Sequence, residues 1–303
     1  MDESKIMVTI RCITYNHVKY IRQCLEGFIM QKTNFRYIAV VHDDASTDGT
    51  AEIVREYAIR YPDIIKPILQ KENQYSKGYE NIRKILDDNT HSKYIAICEG
   101  DDYWTDPLKL QKQFNWLEDH QDYSACFHRA IIHYEDSDTP DELCGDIDDR
   151  DYTGLEIFQF SRRPPTASFF MRSKIYESNV YKAFLESHLS FGDTPTFLSC
   201  AHEGKIRGMS DIMSVYRKHS QGLTNTFNSG TKEMLRFAND QLKIYKIFGN
   251  EYKRECIRIY VIDHINYFFI NLKNGKFHPI PFFKVLIQHP ITTLFFLKER
   301  WRL

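Results

Sequence analysis

The chain has 303 residues, 42% hydrophobic and 27% charged, which suits one large globular domain or a domain with an appendage. A formal net charge of -1 argues against a broadly basic nucleic-acid binder, so an anionic ligand has to be met by a local site. No apolar run approaches the roughly 20 residues that span a bilayer, and the first residues, MDESKIMVTI, lack the basic and apolar regions of a signal peptide.

Ile6–Asn16 (IMVTIRCITYN), Tyr37–Asp44 (YIAVVHDD), Asp63–Gln70 (DIIKPILQ) and Lys93–Asp102 (KYIAICEGDD) read as strands, rich in β-branched residues or opening on continuous apolar runs. Between them, VKYIRQCLEGFIMQ, TAEIVREYAIRY and YENIRKILDD repeat apolar residues at three- and four-residue spacing, the mark of helices packed by one face. Such alternation predicts an α/β fold with a mostly parallel sheet flanked by helices, its strands buried on both sides. A helix in PLKLQKQFNWLEDH and a strand at Ser124–Tyr134 come next. The acidic, turn-rich Glu135–Asp151 reads as an exposed, mobile loop. There follow PTASFFMRS, a helix through YKAFLES, the turn LSFGDTPTF, a helix to about Ala201 and a strand in IMSVYRKH. From about Thr231 the pattern is helical, which predicts a catalytic domain over 1–225 and a helical extension over 226–303. Seven scattered cysteines without a CxxC pair fit reduced, buried thiols in a cytoplasm.

Two acidic groups fall at predicted strand ends, where open α/β sheets bind ligands. Asp43 and Asp44 end the second strand; Glu99, Asp101 and Asp102 end the fourth. Carboxylates crowded into one crevice repel unless a cation lies between them. A hard divalent ion takes oxygen ligands and commonly completes its shell with substrate phosphates. There is neither a GxxxxGK[ST] nor a GxGxxG motif, so a Walker or dinucleotide-binding loop is not expected. Plainer roles stand beside these: Asp48, Asp102 and Asp106 also suit turns and helix caps. Asp193, in SFGDTPTF, sits at a helix start, as a cap or as a base that takes a proton from a hydroxyl. His219, in YRKHSQG, is by spacing alone either structural or a ligand.

In order, CITYNHVKYIRQCLEGFIMQ, VVHDDASTDGT, CEGDDYWTDPLKLQKQ, FGDTPTF and YRKHSQG resemble a family-2 glycosyltransferase of the inverting, GT-A type, over about residues 6 to 225. The resemblance implies a metal-dependent transferase that moves a sugar from a nucleoside diphosphate sugar to an acceptor hydroxyl. It places Thr14, Tyr15 and Asn16 at the nucleotide, with Tyr15 stacked on a uracil-type base and Asp44, next to Asp43, bonded to that base. Lys77 and Gly78 fall in the donor-contacting loop QYSKG. Glu99, Gly100 and Asp101 occupy the Asp-x-Asp motif, with Asp101, Asp102 and His219 as candidate ligands of Mg²⁺ or Mn²⁺ and Asp193 as the catalytic base. Glu99 stands where aspartate is common, and Cys12-Ile13-Thr14 lacks the proline often found before the Tyr-Asn pair. UDP is the default nucleotide, with GDP and dTDP open. A glycan or lipid-linked glycan in surface polysaccharide assembly is the implied acceptor, and no nucleic acid is expected.

The tail FFKVLIQHPITTLFFLKERWRL is too interrupted to span a membrane. Either it packs on the catalytic domain or it lies in the interface with its basic residues at the headgroups, on the inner face of the cell membrane. The rival functions are a sugar nucleotidyltransferase, a phosphoacceptor receiver domain and a non-catalytic nucleotide-sugar or carbohydrate-binding protein. The first is expected to carry a glycine- and arginine-rich loop where this chain has ITYNHVKY.

Overall fold

β1 (Ile6–Thr14), β2 (Arg36–Asp43), β3 (Ile65–Leu69) and β4 (Tyr94–Ile97) form the parallel part of one sheet in the order β3-β2-β1-β4. This is a computed structural model, and it describes residues 5–159, 164–222 and 232–300. The expected boundary at Asn225 lies outside the described residues. The helices that join the strands are α1 (Ile21–Ile29), α2 (Thr50–Arg60) and α3 (Tyr79–Asp88), as their periodicity requires.

Beyond β4 the sheet is mixed rather than parallel throughout. After β5 (Tyr103–Trp104), α4 (Lys109–Asp119) and β6 (Tyr123–Tyr134), the three-residue β9 (Phe170–Arg172) inserts antiparallel to both β4 and β6. β10 (Lys205–Lys218) lies parallel to β6 and antiparallel to β5. It is longer than the strand read from IMSVYRKH. Its first half contains Gly208 and Asp211, which obscure a strand in the sequence, and its pairing shifts register between Met209 and Ser214.

Alternate residues of β4 feed two cores. Tyr94, Ala96 and Cys98 pack with Val8, Ile10, Phe28 and Phe114 on one face, while Ile95 and Ile97 join Phe127, Phe169 and Phe197 on the other. Fully burying each large side chain contributes about 1.5–3 kcal/mol, which holds the strand ends rigid. The acidic stretch Glu135–Asp151 is tied down rather than free. Cys144 and Ile147 are buried, β7 (Glu142–Leu143) pairs with β6 and β8 (Asp151–Tyr152) with β10, and Arg129 pairs with Asp146 and Asp148.

By compactness the chain divides into residues 1–188 with 192–218, and residues 189–191 with 219–303. The first unit holds the sheet with α1–α4, α5 (Gly154–Gln159), α6 (Asn179–Glu186) and α7 (Asp193–Glu203). The second contains α8 (Lys232–Phe248), α9 (Lys253–Lys273), α10 (Ile280–Gln288) and α11 (Pro290–Arg300). Ala238, Tyr260, Val261, Ile265 and Val285 form its core.

Candidate active site

β1 lies between β2 and β4, so its last residue, Thr14, adjoins both acidic strand ends. The Thr14 carbonyl accepts from the Asp44 N–H at 3.0 Å, and its side chain packs on Gly100. A Cβ on Gly100 would lie 2.5 Å from Thr14 Oγ1 and 2.6 Å from Thr14 Cβ, so the turn needs glycine for close approach. The loops after β1 and β2 interlock. Asn16 N–H donates to Ser46 Oγ and Thr47 N–H to Asn16 Oδ1, at 2.8 and 2.9 Å. Both loops hold a non-glycine residue in the left-handed region, Asn16 at φ 56° and Ala45 at φ 63°, the kind of backbone outlier that concentrates at functional sites. Tyr15 is 45% exposed, its ring open to a ligand. Asp48 has the structural role open to it: it accepts from Val18 N–H and from the N–H and hydroxyl of Thr50 at the start of α2.

Asp43 and Asp44 are buried. Asp43 Oδ2 accepts from Ser46 N–H at 3.0 Å, while Oδ1 is buried without a hydrogen-bond partner among the described residues. Such an orphan acceptor calls for an explanation. Asp44 takes the N–H groups of Gln74 and Tyr75 at 2.7 and 3.0 Å, and so fixes the loop that carries Lys77 and Gly78. A carboxylate offers about four lone-pair sites, so a further bond to a nucleotide base remains open to it. Lys77 is exposed and pairs with Glu72 at 2.6 Å; Gly78 has φ 135° and opens α3.

The turn Glu99–Asp102 continues β4 and is tied to β1 by Cys98 N–H to Arg11 O and Gly100 N–H to Ile13 O. Asp101 Oδ2 lies 3.7 Å from His17 Nε2. Asp102 is buried differently. Its Oδ1 accepts from Arg217 N–H at 2.9 Å, and burial, then the charges of Asp101 and Glu99, push its carboxyl well above the usual range. Burial, together with the charges of Asp101 and Asp193, pushes Glu99 up to about 8. This neighbourhood has too much negative charge for its solvation. A divalent cation is the natural remedy, and the oxygen and imidazole donors of Asp101 and His17 fit Mg²⁺ or Mn²⁺.

Asp193 is the first helical residue of α7, and the cap position belongs to Gly192. That corrects the reading of Asp193 as a cap. Its Oδ1 accepts from its neighbour Thr194 N–H at 2.7 Å, and the residue is partly exposed. Gly192 is pressed by Tyr79, whose hydroxyl would sit 2.1 Å from an added Cβ. Burial, then the charges of Asp193 and Glu99, raise the Tyr79 phenol to about 12. Beneath them lies Arg83, a buried guanidinium that donates to Thr196 Oγ1 and, at 3.5 Å, to Gly192 O. Thr196 Oγ1 in turn donates to Gly192 O at 2.6 Å. His219 is buried and follows directly on Lys218, the last residue of β10.

A family model described as glycosyl transferase family 2 matches residues 9–178, more than half of the chain. The chain belongs to glycosyl transferase family 2. An uncharacterized protein of Mycobacterium tuberculosis is 34% identical over 227 residues, 71% of this chain and 60% of that relative's length. The putative glycosyltransferase EpsE of Bacillus subtilis is 35% identical over 111 residues, 37% of this chain and 38% of EpsE. Among solved structures, S. aureus TarS 1-349 in complex with UDP-GlcNAc superposes with a TM-score of 0.60 at 17% identity, covering 89% of this chain and 75% of that one. The mannosyltransferase PcManGT from Pyrobaculum calidifontis, in complex with GDP-Man and Mn2+, gives 0.58 at 14% identity, covering 99% and 81%. These likenesses establish the GT-A fold expected from the sequence.

The family match ends before Asp193 and His219. Sequence reasoning also passed over several residues that organise this family 2 site. Arg217 is the main one. Its Nε donates to Asp101 O at 2.9 Å, its guanidinium pairs with Glu135 and with Gln23 Oε1 at 2.6 Å, and it lies over the rings of Tyr20 and Tyr103. A cation at the end of a predicted strand carries no mark that distinguishes it from a solvated edge charge. Arg83 and Tyr79 stand at i and i+4 on α3 (Tyr79–Asp88), a pair that periodicity reads only as a helix face.

Proposed function

We propose that the chain is a metal-dependent inverting glycosyltransferase, moving a sugar from a nucleoside diphosphate sugar, by default a UDP-sugar, to an acceptor hydroxyl. The observation that carries this reading is the joining of both acidic strand ends at Thr14: Asp44 bonds its backbone and Gly100 packs on its side chain. Tyr15 would stack on the base, with Thr14, Asn16, Asp43 and Asp44 around it and Lys77 and Gly78 on the donor side. Of the two adjacent aspartates, Asp101 is the proposed ligand, because the Asp102 carboxylate already accepts from Arg217 N–H. His17 stands beside Asp101, and His219 comes two residues after the Arg217 that is bonded to the acidic turn. Glu99 would meet the ribose or its neighbourhood. When bound, Mg²⁺ or Mn²⁺ supplies Lewis acidity that stabilises a departing diphosphate.

The partly exposed Asp193 takes the proton from the acceptor hydroxyl as its oxygen attacks the anomeric carbon from the face opposite the leaving group. A single base and no protein nucleophile give one displacement with inversion. Such a base typically contributes about a hundred- to ten-thousand-fold. Tyr79 and Arg83 hold Gly192, and thereby the start of α7, in place for it. The acceptor fits surface polysaccharide or lipid-linked glycan assembly at the cytoplasmic side of the membrane, with peripheral contact through the C-terminal tail.

Asp193→Asn is expected to bind donor normally and to lose at least about a hundredfold in transfer, read as free nucleoside diphosphate released on adding acceptor. Turnover within about tenfold of the unaltered chain would leave Asp193 without the base role. A thermal-shift screen of UDP-, GDP- and dTDP-sugars with and without Mn²⁺ identifies the nucleotide.

A further inference from the structure

The outward faces of α10 and α11 are apolar where those of a water-facing helix are polar. Ile280, Phe283, Ile287, Ile291, Leu294 and Phe295 are between 53% and 85% exposed. The inward face is small and fixed: Val285 and Thr293 are fully buried, and the Thr293 hydroxyl donates to Val285 O at 3.1 Å and to His289 O at 2.8 Å across the bend. The two helices are bent by 117°. At 9 and 11 residues, neither reaches the roughly 30 Å of a bilayer core, and among the described residues no single helix is long and apolar enough to cross a membrane. The charge of the segment is mainly basic: across α10 and α11 the acidic residue is Glu299, against Lys284, Lys298 and Arg300, and Lys273, Lys276, Lys284 and Lys298 are all exposed.

We infer that this helix pair docks on the surface of an anionic phospholipid bilayer, its apolar face in the interface and its lysines at the headgroup phosphates. Large apolar side chains exposed in this number on neighbouring helices mark an interaction site, and basic residues beside an apolar helix face are the features of interfacial attachment. A second copy of the chain fits less well. A two-fold contact sets a patch against itself and would bring the same four lysines together. The inference deepens the peripheral-contact part of the proposed function, but vesicle binding is read without donor or acceptor. Its failure leaves the transfer reading standing, and failure of transfer leaves the docking surface standing.

The test is co-sedimentation of the full chain with vesicles of phosphatidylcholine alone and of phosphatidylcholine with about 30% phosphatidylglycerol. Binding to the anionic vesicles is expected, weakening at high salt. Two variants confined to exposed side chains probe the two halves of the surface: Phe283→Ser/Ile287→Ser/Phe295→Ser and Lys276→Gln/Lys284→Gln/Lys298→Gln. Each is expected to lower binding by about tenfold or more, with the helical circular dichroism unchanged. No binding by the unaltered chain, or equal binding by the serine variant, overturns the proposal. So does a dimer in sedimentation velocity that the serine variant dissolves while vesicles bind nothing.

Discussion

Gly100 and Thr14 are in such close contact that one methyl group decides the shape of the acidic turn. Gly100→Ala has to displace the side chain that ends β1, so a loss of about 1–3 kcal/mol is expected in denaturant unfolding, together with weaker nucleotide binding. Lys109 presents a different residue-scale case. It is fully buried, donates to Gln113 Oε1 at 2.7 Å and lies 4.1 Å from the Trp104 ring, and burial pushes its amine down to about 7. Between that value and the ordinary 10.5 the unfolded chain holds a proton that the folded chain does not. Stability therefore rises with pH across this window, and the full penalty is present below it. Lys109→Met is expected to flatten that slope, measured by urea unfolding at pH 7 and pH 9; an unchanged slope would show that the amine is solvated. At this scale the sequence revealed which groups are acidic and near strand ends, but not which carboxylate is already spoken for. Asp101 and Asp102 are adjacent and chemically alike, and what separates them is tertiary: the deeper burial of Asp102 with its bond from Arg217 N–H, and His17 beside Asp101.

Elements bring the distant pieces together. β10 crosses the sheet beside β6 and delivers Arg217 to the acidic turn at the end of β4, where one guanidinium touches the turn, α1 through Gln23, and the end of β6 through Glu135. Residues that orient a ligand typically affect metal affinity by about 10–100-fold. Arg217→Gln is therefore expected to weaken Mn²⁺ binding by that amount in calorimetry while Asp101 itself is intact. Unchanged affinity would reduce Arg217 to a packing role. The parallel half of the sheet was legible because β1–β4 and α1–α3 carry strong, alternating periodicities. β9 was not, since three residues are too few to show a period and its place is set by pairing with β4 and β6. The acidic loop read as free because composition records charge and turns, whereas Arg129 and the buried Ile147 hold it by tertiary contacts.

For the whole molecule, the family motifs identified the fold and the family, and the structure adds how those motifs come together: three neighbouring strand ends meet at one residue, Thr14. The C-terminal helices were legible as helices, but which of their faces turns outward depends on packing against α9, which no local pattern contains. In the proposed function the strand ends of β2 and β4 serve one nucleotide through an ion held at Asp101. Calorimetric titration of UDP, GDP and dTDP into the unaltered chain, Asp101→Asn and Asp102→Asn, each with and without Mn²⁺, tests it most directly. One nucleotide is expected to bind in a Mn²⁺-dependent way, to lose at least about tenfold in Asp101→Asn, and to change by less than about threefold in Asp102→Asn, whose amide oxygen still accepts from Arg217. Binding that is indifferent to both Mn²⁺ and Asp101→Asn, or no binding by any of the three, would contradict it.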